Sequence, residues 1–238
     1  MKEPGATGSA TQNSTAAHSK RRNLLELAIA YGLILIVIWT PSPWQKLLWW
    51  VAAAAVVVIT SISFDGLNAM GLRAANFFRS LWVVGAALLV AALAVIPATS
   101  LHTLRLPISP VSFIKTYWAY SLWAAVQQFL LQCFFLSRLL QLLPNAKSAA
   151  AAAAALFALA HLPSPILAPI TLVWGFAACL IFLRYRNLYP LAMAHAIFGI
   201  TIAITVPGHV DHNMRVGRGY LTYRDMHKLP KVPKSPPL

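Results

Sequence analysis

The stretch Ser121–Arg138, SLWAAVQQFLLQCFFLSR, places three glutamines inside an apolar segment that is long enough to be a membrane helix. Two later apolar segments each contain a histidine: Phe157–Pro163, FALAHLP, and Met193–Gly199, MAHAIFG. Burying an amide or an imidazole in a bilayer is costly, so polar residues at such positions need a role. They either form a site within the membrane or hold helices together.

The composition is that of a polytopic membrane protein. Of the 238 residues, 59% are hydrophobic and 10% are charged, and the mean hydropathy is +0.67. A soluble domain carries about 25% charged residues. At about 20 residues per crossing, plus loops, the chain accommodates roughly six to eight helices. We therefore predict an all-α fold, a bundle of transmembrane helices.

The net charge of +14 indicates contact with lipid rather than with nucleic acid. The 19 Lys and Arg residues lie in the two tails and in short loops, and the chain has only five acidic residues. Anionic lipid headgroups and the positive-inside rule account for that distribution. The two cysteines, Cys133 and Cys179, lie in apolar helices and are expected to pack rather than to form a disulfide or a thiolate metal site.

Proline residues mark most of the predicted helix ends. The segment Val111–Leu143 is long for one simple crossing, so we expect an interfacial helix that leads into a spanning one. The Ala-rich run Ser148–Leu162 is expected to let neighbouring helices approach closely. The predicted helices are Asn23–Trp39, Trp44–Ser63, Phe78–Pro97, Val111–Leu143, Lys147–His161, Pro165–Arg184 and Leu188–Val206.

Three regions are predicted along the chain: a disordered basic tail over 1–22, the helical bundle over 23–207, and a basic polar tail over 208–238. The first helix lacks a small-residue cleavage site after it, so we expect it to be retained. The positive-inside rule places the N-terminus in the cytoplasm, in a plasma or inner membrane. Seven crossings would leave the basic C-terminal tail on the opposite side, which the same rule disfavours.

Zinc binding and helix cross-linking are both compatible with the intramembrane polar residues. His161 and His195 lie on separate helices and could supply two ligands of a hydrolytic zinc site, or each could hydrogen-bond across helices. Gln128 and Gln132 share a helix face, with Gln127 displaced by about 100°. Amides can orient a carbonyl or a water molecule, but they cannot act as a general base.

The order and spacing of these residues resemble those of the CAAX prenyl protease and bacteriocin-processing family (CPBP, or Abi) of intramembrane proteases. The motifs of that family are E-E-x-x-x-R, F-x-x-x-H and H-x-x-x-N. The resemblance covers about 119–206, and the spacing inside all three motifs is kept. The aligned positions are Gln127-Gln128-x-x-x-Gln132, Phe157-x-x-x-His161 and His195-x-x-x-Gly199.

The resemblance implies a metal-dependent endopeptidase, with a divalent metal such as zinc and a prenylated or otherwise membrane-anchored peptide as substrate. It assigns catalytic positions to Gln127, Gln128, Gln132, His161 and His195. Three positions depart from the motifs. Gln127 replaces a glutamate that activates water in the family, Gln128 and Gln132 replace a Glu–Arg pair, and Gly199 replaces an asparagine that stabilises the oxyanion.

The lost carboxylate could be replaced by Asp211, which follows the last helix. His209 and His212 flank it at i and i+3, so together with His161 and His195 they form a candidate set of metal ligands. In this hypothesis the segment folds back over the bundle. The alternative is a solvated polar turn after Pro207.

Three functions therefore remain open at this stage. The first is an intramembrane endopeptidase of the CPBP type. The second is a non-catalytic relative that keeps the bundle as a binding or scaffolding module. The third is a structural or transport-associated membrane protein with an accidental likeness. Glutamine replaces a charged residue of the family motif at Gln127, Gln128 and Gln132, and this loss of charge is what distinguishes a non-catalytic relative from an endopeptidase.

Overall fold

The computed structural model describes residues 6–62, 66–68 and 70–228, with side chains from residue 18 to residue 226 within those ranges. All regular elements of these ranges are helical. In chain order they are α1 (Ala6–Trp39), α2 (Trp44–Ile62), α3 (Phe77–Ser80), α4 (Trp82–Ser100), α5 (Pro110–Phe129), a π-helix (Leu130–Leu136), α6 (Ser137–Leu142), α7 (Ala146–Leu159), α8 (Leu167–Tyr185), α9 (Tyr189–Thr205), α10 (Gly208–Asp211), a 3-10 turn (His212–Met214) and α11 (Gly217–Lys228).

Five helical segments of the described ranges are long and apolar enough to cross a membrane. A sixth is obtained if α9 and Gly208–Met214, which meet at an angle of 116°, are counted as one broken span. This confirms the predicted all-α, polytopic bundle. The five segments are His18–Trp39, Trp44–Ile62, Phe77–Ser100, Pro110–Leu142 and Leu167–Tyr185.

Within the described residues all seven predicted segments are helical, and apart from the earlier start of α1 their ends shift by at most about three residues. Pro97, expected to end a helix, lies inside α4, and that helix continues to Ser100. The hydroxyls of Thr99 and Ser100 donate to the carbonyl of Ile96 at 2.6 and 3.3 Å, so side chains satisfy a carbonyl of the last turn. α7 has 14 residues and is too short to count as a span.

The region Pro110–Leu142 is one continuous helix of 33 residues that contains the π-helix. A capping box begins it, in which the Ser109 hydroxyl accepts from Ser112 N at 3.2 Å and Ser109 N donates to Ser112 Oγ at 3.0 Å. Six consecutive side chains of the π-helix, from Leu131 to Leu136, are buried. A π turn widens the helix locally, and such turns are frequent at functional sites.

Small side chains bring α7 and α8 together, as the Ala-rich sequence predicts. The α7 alanines at the contact are fully buried, and a Cβ on Gly175 of α8 would lie 3.4 Å from Ala154 Cα. Helices therefore pack here through near contact of their backbones. α9 packs between α4 and α5, which places the histidine of α9 beside the glutamines of α5.

A buried ion pair ties α1 to the end of the long helix. Arg138 Nε donates to Glu26 Oε2 at 2.7 Å, and Arg138 Nη1 donates to the Phe134 carbonyl at 3.2 Å. The guanidinium carbon of Arg138 also lies 3.8 Å from the centroid of the Phe134 ring. One turn away, Asn23 Nδ2 donates to Gln141 Oε1 at 2.9 Å. These contacts fix α1 as one wall of the cavity described below.

Both predicted tails contain helix where the structure describes them. α1 begins at Ala6, so the stretch from Ala6 to Arg22 continues the membrane helix instead of being disordered. The alanines of this stretch favour helix, which outweighs its low apolar content. Within the basic polar tail, α11 occupies Gly217–Lys228 and packs against α1. Residues 1–5 and 229–238 lie outside the described ranges.

We predict that Arg138→Gln lowers the stability of the protein by about 3 kcal/mol, because it removes one partner of a buried pair. Arg22→Gln is the matched control, since Arg22 contacts the same carboxylate at 3.4 Å but its side chain is 57% exposed. The control should cost less than about 1 kcal/mol. Thermal unfolding in detergent measures both variants, and equal melting temperatures would contradict the assignment.

Candidate functional site

A cavity of about 440 Å³ lies inside the bundle. Its walls come from α1, α5, the π-helix, α7, α8 and α9, and residues after α9 complete it. Most of the lining is aromatic or aliphatic, with Trp123, Phe157, Trp174 and Phe198 as large members. Mostly apolar cavities with a few polar groups are typical of ligand sites, and ligand-binding pockets have volumes of about 300–1,000 Å³.

The cavity brings together the three motifs of the sequence. Gln127, His161 and His195 all line it, and they come from α5, the end of α7 and α9. The Phe157 ring lies between the histidines, with centroid distances of 4.8 Å to His161 and 5.7 Å to His195. The hypothesis that these residues share one site therefore agrees with the geometry.

Gln128 connects the first motif to the third. It is fully buried, and its Nε2 lies 2.8 Å from His195 Nδ1. Its Oε1 accepts from Gln132 Nε2 at 3.2 Å, which confirms that Gln128 and Gln132 share a face. These contacts form a neutral chain, Gln132–Gln128–His195, which we call the amide relay. Gln132 Oε1 is buried at the far end of the relay and has no hydrogen-bond partner in the described part of the chain.

The relay and the F-x-x-x-H motif fix the two histidines in opposite tautomers. His195 Nδ1 accepts from an amide N–H, so a neutral His195 ring carries its proton on Nε2. His161 Nδ1 lies 2.7 Å from the Phe157 carbonyl, which can only accept, so Nδ1 of His161 carries the proton. The Nε2 of His161 is therefore left as an acceptor, and that of His195 as a donor.

Tyr120 occupies the space beside the third motif. A Cβ built on Gly199 would overlap the Tyr120 hydroxyl oxygen, so this hydroxyl lies directly against the α9 backbone at the position where the family has asparagine. Tyr120 and Gly199 both line the cavity. Any side chain at residue 199 would displace the Tyr120 ring, so the glycine and the tyrosine are sterically matched.

The segment after α9 folds back over the bundle, as the Asp211 hypothesis requires, but it presents other residues to the cavity. Gly217 N donates to the Leu162 carbonyl at 2.7 Å, and Asn213 and Met214 reach the lining. Asp211 is buried away from the lining, and its Oδ1 accepts from Asn213 N at 2.9 Å. This contact is a local turn, and the expectation that Asp211 replaces the lost carboxylate is not supported.

The expected ligand set of His161, His195, His209 and His212 does not assemble. His209 is exposed, and His212 stacks on Tyr220 with ring centroids 3.9 Å apart. The cause is the backbone, because residues 212–214 have positive φ, which breaks the helical turn that would put both histidines on one face. Among the described residues, no group of three or more His, Cys, Asp or Glu side chains is arranged to hold a metal ion.

The cavity residues do not fit a hydrolytic zinc centre. Such a centre needs about three protein ligands and a nearby carboxylate that takes the proton from the bound water. The cavity offers two imidazoles. Gln128 donates an N–H to the His195 ring, whereas a metal-bound histidine normally donates its own second N–H to an acceptor. We therefore derive no step through a metal.

Two cavity residues, Tyr120 and Trp174, are not among the predicted site residues. Tyr120 lies seven residues before Gln127, two helical turns away on the same face, and this spacing could have indicated it. Trp174 lines the cavity from α8, and its buried indole N–H has no acceptor in the described ranges. No sequence signal identifies Trp174, because its position depends on the packing of α8 against its neighbours.

The fold and the site define this chain as an integral membrane protein, with an intramembrane cavity at the meeting point of three family motifs. Residues 110–201 match the family model described as type II CAAX prenyl endopeptidase Rce1-like. The match covers less than half of the chain, runs from the start of α5 into α9, and includes all three motifs. It confirms the resemblance to the CPBP family. Comparisons with curated proteins and with solved structures gave no match.

We predict that Gln128→Glu moves the His195 proton from Nε2 to Nδ1, because a carboxylate can only accept from the ring. ¹⁵N NMR of ring-labelled histidine in detergent micelles distinguishes the two tautomers. His161 is the internal control and should remain protonated at Nδ1 in both proteins, since a backbone carbonyl fixes it. An Nδ1-protonated His195 in the unmutated protein would contradict the assignment of the Gln128 amide as the donor to the His195 ring.

Proposed function

We propose that this protein binds the prenyl group and adjoining peptide of a membrane-anchored substrate inside its cavity, without hydrolysing the peptide. One observation carries the proposal. Among the described residues that line the cavity, none is Asp, Glu, Lys or Arg. The cavity thus has the volume and apolar lining of a lipid-binding site, while the charged groups expected for peptide hydrolysis are missing.

The route into the cavity supports a ligand that arrives from the bilayer. Trp123 of α5 and Ile170 of α8 both line the cavity and are 40% and 42% exposed, so neither is closed off by neighbouring side chains. Helices α5 and α8 are not a closely packed pair in the described structure. A lateral opening between them would let an isoprenoid chain enter directly from the lipid phase.

The lack of hydrolysis follows from the residue types. Attack on a peptide carbonyl by water needs a base close to that water, and an amide such as Gln127 cannot accept the proton. Gln128 and Gln132 are engaged with each other and with His195, so they maintain the shape of the site. In this proposal the remaining amide, that of Gln127, positions a ligand carbonyl.

Hydrolysis remains a second candidate because of His161. Its Nε2 is an acceptor and the residue lines the same cavity as Gln127, so an imidazole could serve as the base in place of a carboxylate. The family match favours a peptide substrate for this activity as well. The two candidates share the binding step and differ in the fate of the peptide.

Binding can be tested with a fluorescent farnesylated tetrapeptide and the full chain in nanodiscs. We expect saturable binding that Ala160→Phe abolishes, because Ala160 lines the cavity and the larger ring would fill it. Ala151→Phe is the matched control, as Ala151 lies in the same Ala-rich helix but is exposed. Equal binding by both variants would contradict a cavity site.

The fate of the peptide can be followed by mass spectrometry after prolonged incubation. We expect the farnesylated tetrapeptide to be recovered intact, since the described residues of the cavity lining include no carboxylate. If a product lacking the terminal residues accumulates, and His161→Ala abolishes it while binding persists, the second candidate replaces the first.

A further inference from the structure

We propose that the cavity selects an uncharged carbonyl group next to the apolar chain, and that the Tyr120 hydroxyl is the hydrogen-bond donor that recognises it. This inference rests on the proposed function, which supplies the apolar chain. It adds the chemistry of the polar part of the ligand, an ester or amide carbonyl and not a carboxylate, and a residue that determines this specificity.

The first observation is the position of Tyr120. Its hydroxyl oxygen would overlap a Cβ on Gly199, so it lies over the α9 backbone within the cavity wall. No described residue forms a hydrogen bond with this hydroxyl. A phenol O–H within a membrane bundle usually finds a partner, since leaving it unpaired costs free energy. A ligand carbonyl in the cavity would provide that partner.

The second observation is an excess of donors around the cavity. The Trp174 indole N–H is buried without an acceptor, and the Gln127 amide forms no hydrogen bond with any described residue. His195 presents Nε2–H, as its Nδ1 accepts from Gln128. Together with Tyr120, these donors outnumber the acceptors of the lining that have no partner in the described part of the chain, His161 Nε2 and Gln127 Oε1, so the lining favours a ligand that accepts hydrogen bonds. A carbonyl oxygen has two lone pairs and can accept from two of them.

The third observation is the absence of charge. None of the described lining residues is a cation, so a carboxylate drawn into the cavity would lose its hydration without gaining an ion pair. An unpaired buried charge is far more costly than a neutral carbonyl. The lining therefore favours an ester or amide over a free acid, although both are hydrogen-bond acceptors.

The membrane setting makes these polar contacts decisive. An isoprenoid chain that moves from lipid into an apolar cavity exchanges one apolar environment for another, so its transfer contributes little net free energy. Packing in the cavity offsets the loss of freedom of the chain. The difference between one prenylated ligand and another then depends on the hydrogen bonds at its polar end, where Tyr120 lies.

The test uses N-acetyl-S-farnesyl-cysteine as its methyl ester and as its free acid, each competing with the fluorescent peptide in nanodiscs of neutral lipid at pH 7.5. Empty nanodiscs correct for partitioning. We expect the ester to bind at least tenfold more tightly than the acid. Tyr120→Phe should weaken ester binding about 3- to 10-fold, the value of one hydrogen bond.

Tyr117→Phe is the control for removing a hydroxyl from the same helix, because Tyr117 packs on Phe113 at 4.9 Å and does not line the cavity. It should bind the ester like the unmutated protein. Equal affinity for ester and acid, or equal ester binding by the Tyr120 and Tyr117 variants, would overturn this inference and leave the proposed function intact. Failure of the unmutated protein to bind the fluorescent peptide would overturn both.

Discussion

The hydrogen bonds of Gln128 are the interaction on which the rest of the site depends. This one buried amide contacts Gln132 on its own helix and His195 on α9, at 3.2 and 2.8 Å. It joins two of the three motifs and sets the tautomer of a histidine that lines the cavity. Each such bond contributes modestly within a membrane, about 0.6 kcal/mol. The larger effect of the Gln128 bond is to set which ring nitrogen of His195 is a donor and which is an acceptor.

A neutral relay changes what the cavity can do. Charged residues at these positions supply a base and a counter-charge, whereas amides supply only oriented hydrogen bonds. The cavity lining follows the same pattern, because its described polar members are hydroxyl, amide, indole and imidazole groups. Such a lining can bind and orient a carbonyl but has no carboxylate to activate water. This is the physical basis on which we propose recognition of a prenylated ligand without cleavage.

Much of the bundle could be predicted from the sequence, because apolar runs and prolines determine membrane helices locally. The shared face of Gln128 and Gln132 followed from helical periodicity. The proposed ligand set does not form because positive φ at His212 and the two residues after it breaks the helical spacing; His212 and Asn213 are of types enriched at positive φ, but residue type alone does not specify that conformation. The spacing from Gln127 places Tyr120 on the cavity face of α5, but its contact with Gly199 depends on the packing of α5 against α9.

Photo-crosslinking can show whether an intact prenylated peptide lies in the cavity. A farnesylated tetrapeptide with a benzophenone in its isoprenoid chain would be irradiated with the full chain in nanodiscs, and the adducts mapped by mass spectrometry. We predict adducts on cavity residues such as Trp123 or Phe198, each carrying the mass of the whole peptide. Adducts confined to the exposed face of α2, or a peptide that has lost its terminal residues, would contradict this prediction.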